Sequence, residues 1–447
     1  MKKRTFLKTS SIIMAGSSLH SLIPPWQEDI GTNWAGNLHY SAKKLHRPQS
    51  VEEAQEIISQ ANKINTLGTR HSFSNIADCP EELLSTGAFN KVVKLDPKSM
   101  TVTVEAGIRY GELAIYLEEN GFALHNLASL PHISVGGACA TATHGSGDKN
   151  GNLASIVKAM EIIKADGNTV QLSDGDPDFS AAVVHLGALG VITKLTLAIQ
   201  PTYQVQQEIF EHLPLDAAVE HFNDIFGSGY SVSFFTDWSK EEINQVWIKR
   251  RIDSKGKLPS LSEFYGASPA TKNMHPIASV SAENCTDQMS VPGAWHERLP
   301  HFKLDFTPSN GEELQSEFFV PRSEAPNALL AIQSLNSQIT PLLFISEVRS
   351  IAADDFWMST AEGGDRIAFH FTWKPDWEGV QKVLPLLEKK LEPFSARPHW
   401  GKLFHMQAQE INDRYPKVED FKSLARRYDP EGKFRNAFLT RNIFGAM

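Results

Sequence analysis

The sequence predicts an α+β protein built as two domains, and three observations carry that expectation. A chain of 447 residues exceeds what one ordinary core accommodates. Residues 50–201 mix short strands, tight turns and amphipathic helices, whereas from about residue 207 the strands lengthen and read as antiparallel. The composition, 41% hydrophobic and 21% charged with no repeat or low-complexity tract, is that of a packed globular chain.

Each element has a local cause. Ser50 with Glu53 three places on is a capping box, which opens an amphipathic helix over 50–64. An apolar strand follows and runs into Gly68. Val92–Leu95 and Val102–Val104 flank a Pro97-Lys98-Ser99 turn and form a hairpin. Residues 110–120 form a second helix, stopped by Gly121. A second hairpin turns at Asp166-Gly167, between Met160–Ile163 and Val170–Leu172. Residues 188–193 then lead into a strand ending near Pro201. Further on, Tyr230–Thr236, Gln245–Arg251, Phe344–Ser350 and Ile367–Trp373 read as the strands of the second domain.

Charge and cysteine usage exclude several functions. The formal net charge is −9, and residues 1–22 hold Lys2, Lys3, Arg4 and Lys8 with no acid, so the remainder is more acidic still. Such a body argues against nucleic acid or anionic lipid as a partner and suits a neutral small molecule. Cys79, Cys139 and Cys285 show no CxxC spacing, hence neither a disulfide framework nor a zinc site, and the sixteen histidines contain no HExxH pair. The basic start, followed by the short apolar run Ser11–Gly16, is too short to span a bilayer. It resembles a twin-arginine export signal, with Lys3-Arg4 where two arginines are usual, and it implies an exported, periplasmic protein. The alternative is a basic tail on a cytoplasmic protein. No stable membrane insertion is expected, and a monomer is favoured.

The most informative stretch is Gly68-Thr69-Arg70-His71-Ser72. A glycine turn at a strand end can aim one histidine at a fixed point, and a neutral imidazole can form a covalent bond to a cofactor. Two small-residue segments, Ser134–Thr141 and Thr143–Gly147, offer backbone N–H groups for a pyrophosphate, although the Rossmann fingerprint is absent. Two strands of the second domain carry polar residues at i, i+2 and so on one face: Glu347 with Arg349, and His370 with Thr372. A solvated sheet face would give the same alternation.

These motifs, in order, resemble the vanillyl-alcohol-oxidase (PCMH-type FAD-binding) flavoproteins, in detail their alditol and xylitol oxidase branch. The likeness extends from Asn33-Trp34-Ala35-Gly36-Asn37 through Ala128–Ser134, Thr143–Gly147, Trp295–Phe302 and Arg397–Lys402 to Asp429–Phe438. It implies a signal segment at 1–25, an FAD-binding domain at 28–206, a substrate or cap domain at 207–401 and a tail at 402–447 that returns to the first domain. It implies FAD, singly attached through His71. Gly68, Thr69, Arg70, Ser72, Ser129, Ser134, Gly137, Thr141, Ala142, Thr143, His144, Val191 and His399 would contact the cofactor. Arg70 departs from the glycine that relatives often carry.

At the substrate end the resemblance implies binding by Ser129, Glu347, Arg349, Thr372 and Lys402. Arg349, Lys402 and His370 would do the chemistry, with the proton handled by Lys402 or His370. The implied reaction is oxidation of the terminal alcohol of an alditol such as xylitol or sorbitol, with O2 reduced to hydrogen peroxide. An aldonolactone oxidase or dehydrogenase is the neighbouring alternative. A flavin-binding carrier without turnover is the alternative of another class.

Overall fold

The computed structural model describes residues 30–252, 258, 261, 263–304 and 313–445. The export-signal reading of residues 1–25 falls outside the described residues. Three sheets matter for the site, with strands and helices numbered here in chain order. The first is parallel: β1 (Lys44–His46) and β2 (Ile64–Leu67) flank β3 (Glu82–Ser85). Between β1 and β2 runs helix α1 (Val51–Gln60), whose Ser50 side chain accepts from the Glu53 backbone N–H. Glu53 in turn accepts from Gln49 N, one residue before the cap. The helix stops at Gln60 rather than 64, because Ile64 is already paired with Glu82 in the sheet.

The second sheet is antiparallel and five-stranded. Its strands are β4 (Val92–Asp96), β5 (Thr101–Glu105), β6 (Val157–Ile163), β7 (Thr169–Ser173) and β8 (Val191–Ala198), in spatial order β4-β5-β8-β6-β7. Both hairpins stand where turn chemistry puts them, and Gly167 takes φ +81° in the tighter one. Helix α2 (Tyr110–Glu119) ends before Gly121, which is also left-handed. The short helix α3 (Val135–Ala140) follows a loop.

The third sheet has nine strands. Its long members are β9 (Gln204–Pro214), β10 (Ser231–Thr236), β11 (Glu242–Ile252), β12 (Leu314–Pro321), β13 (Leu343–Ile351) and β14 (Arg366–Trp373). They lie in the order β9-β11-β10-β13-β14-β12, all antiparallel. Helices α4 (Ala325–Gln333) and α5 (Trp377–Leu391) pack on β12 and on each other. Both sides of the sheet are therefore covered: β10 and β12 are buried along almost their whole length. Two buried indoles are paired with its serines, Trp373 Nε1 to Ser316 Oγ at 2.9 Å and Trp238 Nε1 to Ser346 Oγ at 2.7 Å.

The C-terminal residues pack on the first sheets. Lys433 Nζ donates to Ile58 O (2.6 Å) and Ala165 O (2.8 Å), and Phe434 joins the core of α1. Among the described residues no helix is long and apolar enough to cross a membrane.

Candidate active site

Sheet register assembles the polar wall. On β14, His370 pairs with Glu317 of β12 on one side and with Glu347 of β13 on the other. One step along, Thr372 stands between Gln315 and Ile345. Side chains directly across neighbouring strands share a face, so Glu317, His370 and Glu347 form one row and Gln315 and Thr372 the next. This face is buried against the first half of the chain, so it is not a solvated sheet face. Glu347 and Arg349 are each only 6% exposed.

The row is an ion network. Arg349 Nη2 donates to Glu317 Oε1 at 2.7 Å, its Nε lies 3.6 Å from Glu347 Oε2, and Nη1 reaches Ser129 Oγ at 3.4 Å. His144 Nε2 donates to the same Glu317 oxygen at 3.1 Å. His370 Nδ1 is 3.4 Å from Glu317 Oε2, and its Nε2 is 3.2 Å from Thr372 Oγ1. Lys402 Nζ donates to Gln315 Oε1.

Burial alone would raise both carboxyls. Arg349 with His144 and His370 outweighs it at Glu317, and Arg349 with His301 does so at Glu347, so both stay well below the usual carboxylate range. Burial also opposes the charge on Arg349, yet the two carboxylates hold it above its ordinary value. Burial pushes Lys402 down to about 8, against the pull of Glu317. It lowers His370 as well, helped by Lys402.

Facing this wall across a cavity of ≈ 560 Å³ is the glycine turn. His71 stacks on Trp34 with ring centroids 5.6 Å apart, and its Nδ1 is buried without a hydrogen-bond partner. Burial first, then the neighbouring His132, pushes it down to about 4, so the imidazole is neutral near pH 7. Arg70 adopts φ +64°, a left-handed conformation that suits glycine. Its side chain leaves the turn to donate to Ile30 O at 2.7 Å and to lie over the Tyr40 ring.

The same wall contains Thr69, Ser134, Gly136, Gly137, Thr141 and Thr143. A Cβ at Gly68 or Gly137 would stand 2.9 or 3.0 Å from Ser134 Oγ, so side chains here would fill the surface that a dinucleotide backbone must approach. With the orphaned His71 nitrogen, these residues fit FAD: Gly68, Thr69, Ser72, Ser134, Gly137, Thr141 and Thr143 on one side, His144 and His399 on the other.

Two of the expected cofactor contacts do not line the cavity. Val191 is turned into the core with Ala54, Ile58 and Ile163, and Gly190 and Ile192 line the cavity instead, as strand alternation requires. Ala142, at φ +54°, is fully buried in the main core, and its neighbours Thr141 and Thr143 face the cavity. All other expected site residues line it, Ser129, Lys402 and Arg70 among them.

The chief omission of the sequence reading is Glu317, 1% exposed at the centre of the network. Gln315 and His301 were missed with it. A sequence signal existed: Gln315 and Glu317 repeat the i, i+2 polar spacing of Glu347 and Arg349 just before the apolar run Phe318–Val320. The fold also brings single atoms of His144, Glu317 and His399 within 4.8 Å, a grouping no local spacing reveals.

Comparison with known proteins accords with this geometry. Residues 42–173 match the FAD binding domain family, and residues 308–442 match the D-arabinono-1,4-lactone oxidase family. The chain is 46% identical over 411 residues to an alditol oxidase of Streptomyces sp., covering 91% of this chain and 97% of that one. It is 27% identical to an L-gulono-1,4-lactone dehydrogenase of Mycobacterium tuberculosis, covering 93% and 99%. The structure superposes on cholesterol oxidase from B. sterolicum with a TM-score of 0.73 at 14% identity, covering 92% and 95%, a likeness of fold.

Proposed function

The chain belongs to the alditol oxidase family of FAD-dependent oxidoreductases, and we propose that it oxidises the terminal primary alcohol of a short alditol to the aldose. One observation carries the reading. The cavity's far wall alternates fixed acceptors and donors (Glu347, Arg349, Thr372, Gln315, Lys402), and its near wall is the flavin turn. A hydroxyl group donates and accepts at once, so a polyol can satisfy such a wall, whereas leaving it unpaired would be costly.

FAD held by the residues of the glycine turn and its facing wall would supply the hydride acceptor, with dioxygen as the oxidant and hydrogen peroxide as its product. Arg349, charged throughout the working pH range, stabilises alkoxide character on the reacting oxygen. Lys402, brought near neutrality by burial, takes the hydroxyl proton while Gln315 fixes its amine. Glu347, Ser129 and Thr372 hold the neighbouring hydroxyls. His370, kept neutral by burial, orients Thr372.

The test is anaerobic mixing with xylitol, sorbitol, glycerol and gulonolactone, followed by air. Bleaching of the flavin by polyols, with peroxide on aeration, is expected. Bleaching by the lactone alone would replace this reading by aldonolactone oxidation, which the match of residues 308–442 favours as the second reading.

Attachment of the flavin through His71 is part of the proposal. The neutral ring and its unpartnered Nδ1 support it. Acid-precipitated protein should retain its yellow colour, and His71→Ala should release the flavin into the supernatant. Colour retained in the variant's pellet would exclude His71.

A further inference from the structure

Glu347 has a second partner, His301, in the wall of the same cavity. His301 Nε2 donates to Glu347 Oε1 at 2.7 Å, and both residues are buried. Behind His301 lies Lys249 of β11, 1% exposed. Its Nζ is surrounded by acceptors: Leu299 O at 2.5 Å, Pro300 O at 3.3 Å and His301 Nδ1 at 3.1 Å. Three acceptors match the three N–H bonds of an ammonium.

The directions of these bonds are not independent. The Glu347 carboxylate, held ionised, can only accept from Nε2, so a neutral imidazole carries its proton there and leaves Nδ1 to accept from a lysine N–H. Burial first, then Lys249, pushes His301 down to about 4, which keeps the ring neutral. Burial also pushes Lys249 down to about 7; Leu299 O and Pro300 O can only accept from its Nζ, and with Nδ1 accepting as well the shell takes all three N–H bonds of an ammonium. The His301 ring is further clamped edge-on between Phe235 and Trp247.

We infer that Lys249 and His301 are positioning residues for substrate selection: the lysine supports the Nε2–H tautomer of the histidine, and the histidine holds Glu347 as an ionised, acceptor-only group in the cavity wall. The dyad thereby selects molecules with a hydroxyl donor beside the reacting carbinol, and it disfavours a ring oxygen or carbonyl at that place. The inference rests on the alditol reading above.

His301→Phe keeps the aromatic packing and removes both hydrogen bonds. It should raise KM for xylitol about tenfold or more, as expected for a hydrogen bond to a charged group, with a smaller change in kcat. In a Glu347→Gln background the same substitution should add less than about twofold, because its effect passes through Glu347. An unchanged KM, or full additivity with Glu347→Gln, would overturn the dyad.

A second measurement needs neither variant activity nor substrate. In the holoenzyme carrying 15N-histidine, the His301 resonances, identified by their loss in His301→Gln, should show the Nε2–H tautomer at pH 7. The Nδ1–H tautomer would overturn the proposal. Wild-type enzyme that reduces its flavin with no alditol would overturn the alditol reading instead, and the tautomer would still decide the dyad.

Discussion

Glu317 and Lys402 show how burial converts ordinary side chains into a site. Glu317 accepts from Arg349 and His144 through one oxygen, so Glu317→Gln leaves a buried guanidinium short of a counter-charge. Removing one partner of a buried pair costs about 3–5 kcal/mol, and misplacing Arg349 should lower kcat/KM by about 10²–10³. The stability loss has a pH signature. The folded carboxyl lies below its unfolded value of 4.5, so its contribution is complete above that pH and disappears as pH falls toward the folded value. Thermal melts of wild type and Glu317→Gln should therefore stay separated above pH 4.5 and draw together progressively as pH falls below it. Parallel curves would show that Glu317 does not titrate with folding. Lys402 gives the complementary test on activity. If its free amine accepts the proton, kcat/KM rises with pH through an apparent pKa near 8, and Lys402→Met loses that limb. A wild-type profile flat through pH 8 would pass the proton-accepting role to His370.

Elements set which residues meet, and glycine sets how closely. Gly136 of α3 lines the cavity, and a Cβ there would lie 2.8 Å from Ala106 Cβ and 3.0 Å from Ala106 O. Backbone cannot rotate aside, so Gly136→Ala must push α3 away from the end of β5. Overpacking of this kind costs about 1–3 kcal/mol, and the shift should reduce bound flavin per protein, read as the ratio of flavin to protein absorbance. Full flavin content with an unchanged melting temperature would mean that the helix accommodates the methyl group. The same logic applies to Arg70: its left-handed conformation suits glycine, and here it is offset by the bond to Ile30 O and the contact with Tyr40.

At the scale of the molecule, what was legible in the sequence was what local chemistry determines. The hairpins at residues 92–105 and 157–173 followed from their turns, and the His71 turn from its glycine. The i, i+2 pairs named Glu347, Arg349, His370 and Thr372, but not their company. Glu317 joins them only through a register spanning more than fifty residues between β12 and β14, and nothing local encodes a register. Val191 and Ala142 show the converse: resemblance names a segment, and side-chain direction decides which members face the cavity. The His71 turn itself depends on remote chain. Phe73 N donates to Gly401 O at 2.7 Å, Ser74 Oγ to Trp400 O at 2.7 Å, and Asn436 Nδ2 to both Ile76 O and Asp78 O at 2.8 Å. Asn436 also caps the helical turn Ala437–Leu439 by accepting from Leu439 N at 3.0 Å. Asn436→Ala would strip these bonds from a buried seam, at about 1–3 kcal/mol, and loosen the segment that aims His71. Its melting temperature should fall, and the acid-stable fraction of its flavin should fall with it at equal FAD supply. A lowered melting temperature with complete attachment would mean that the glycine turn aims the histidine without the tail.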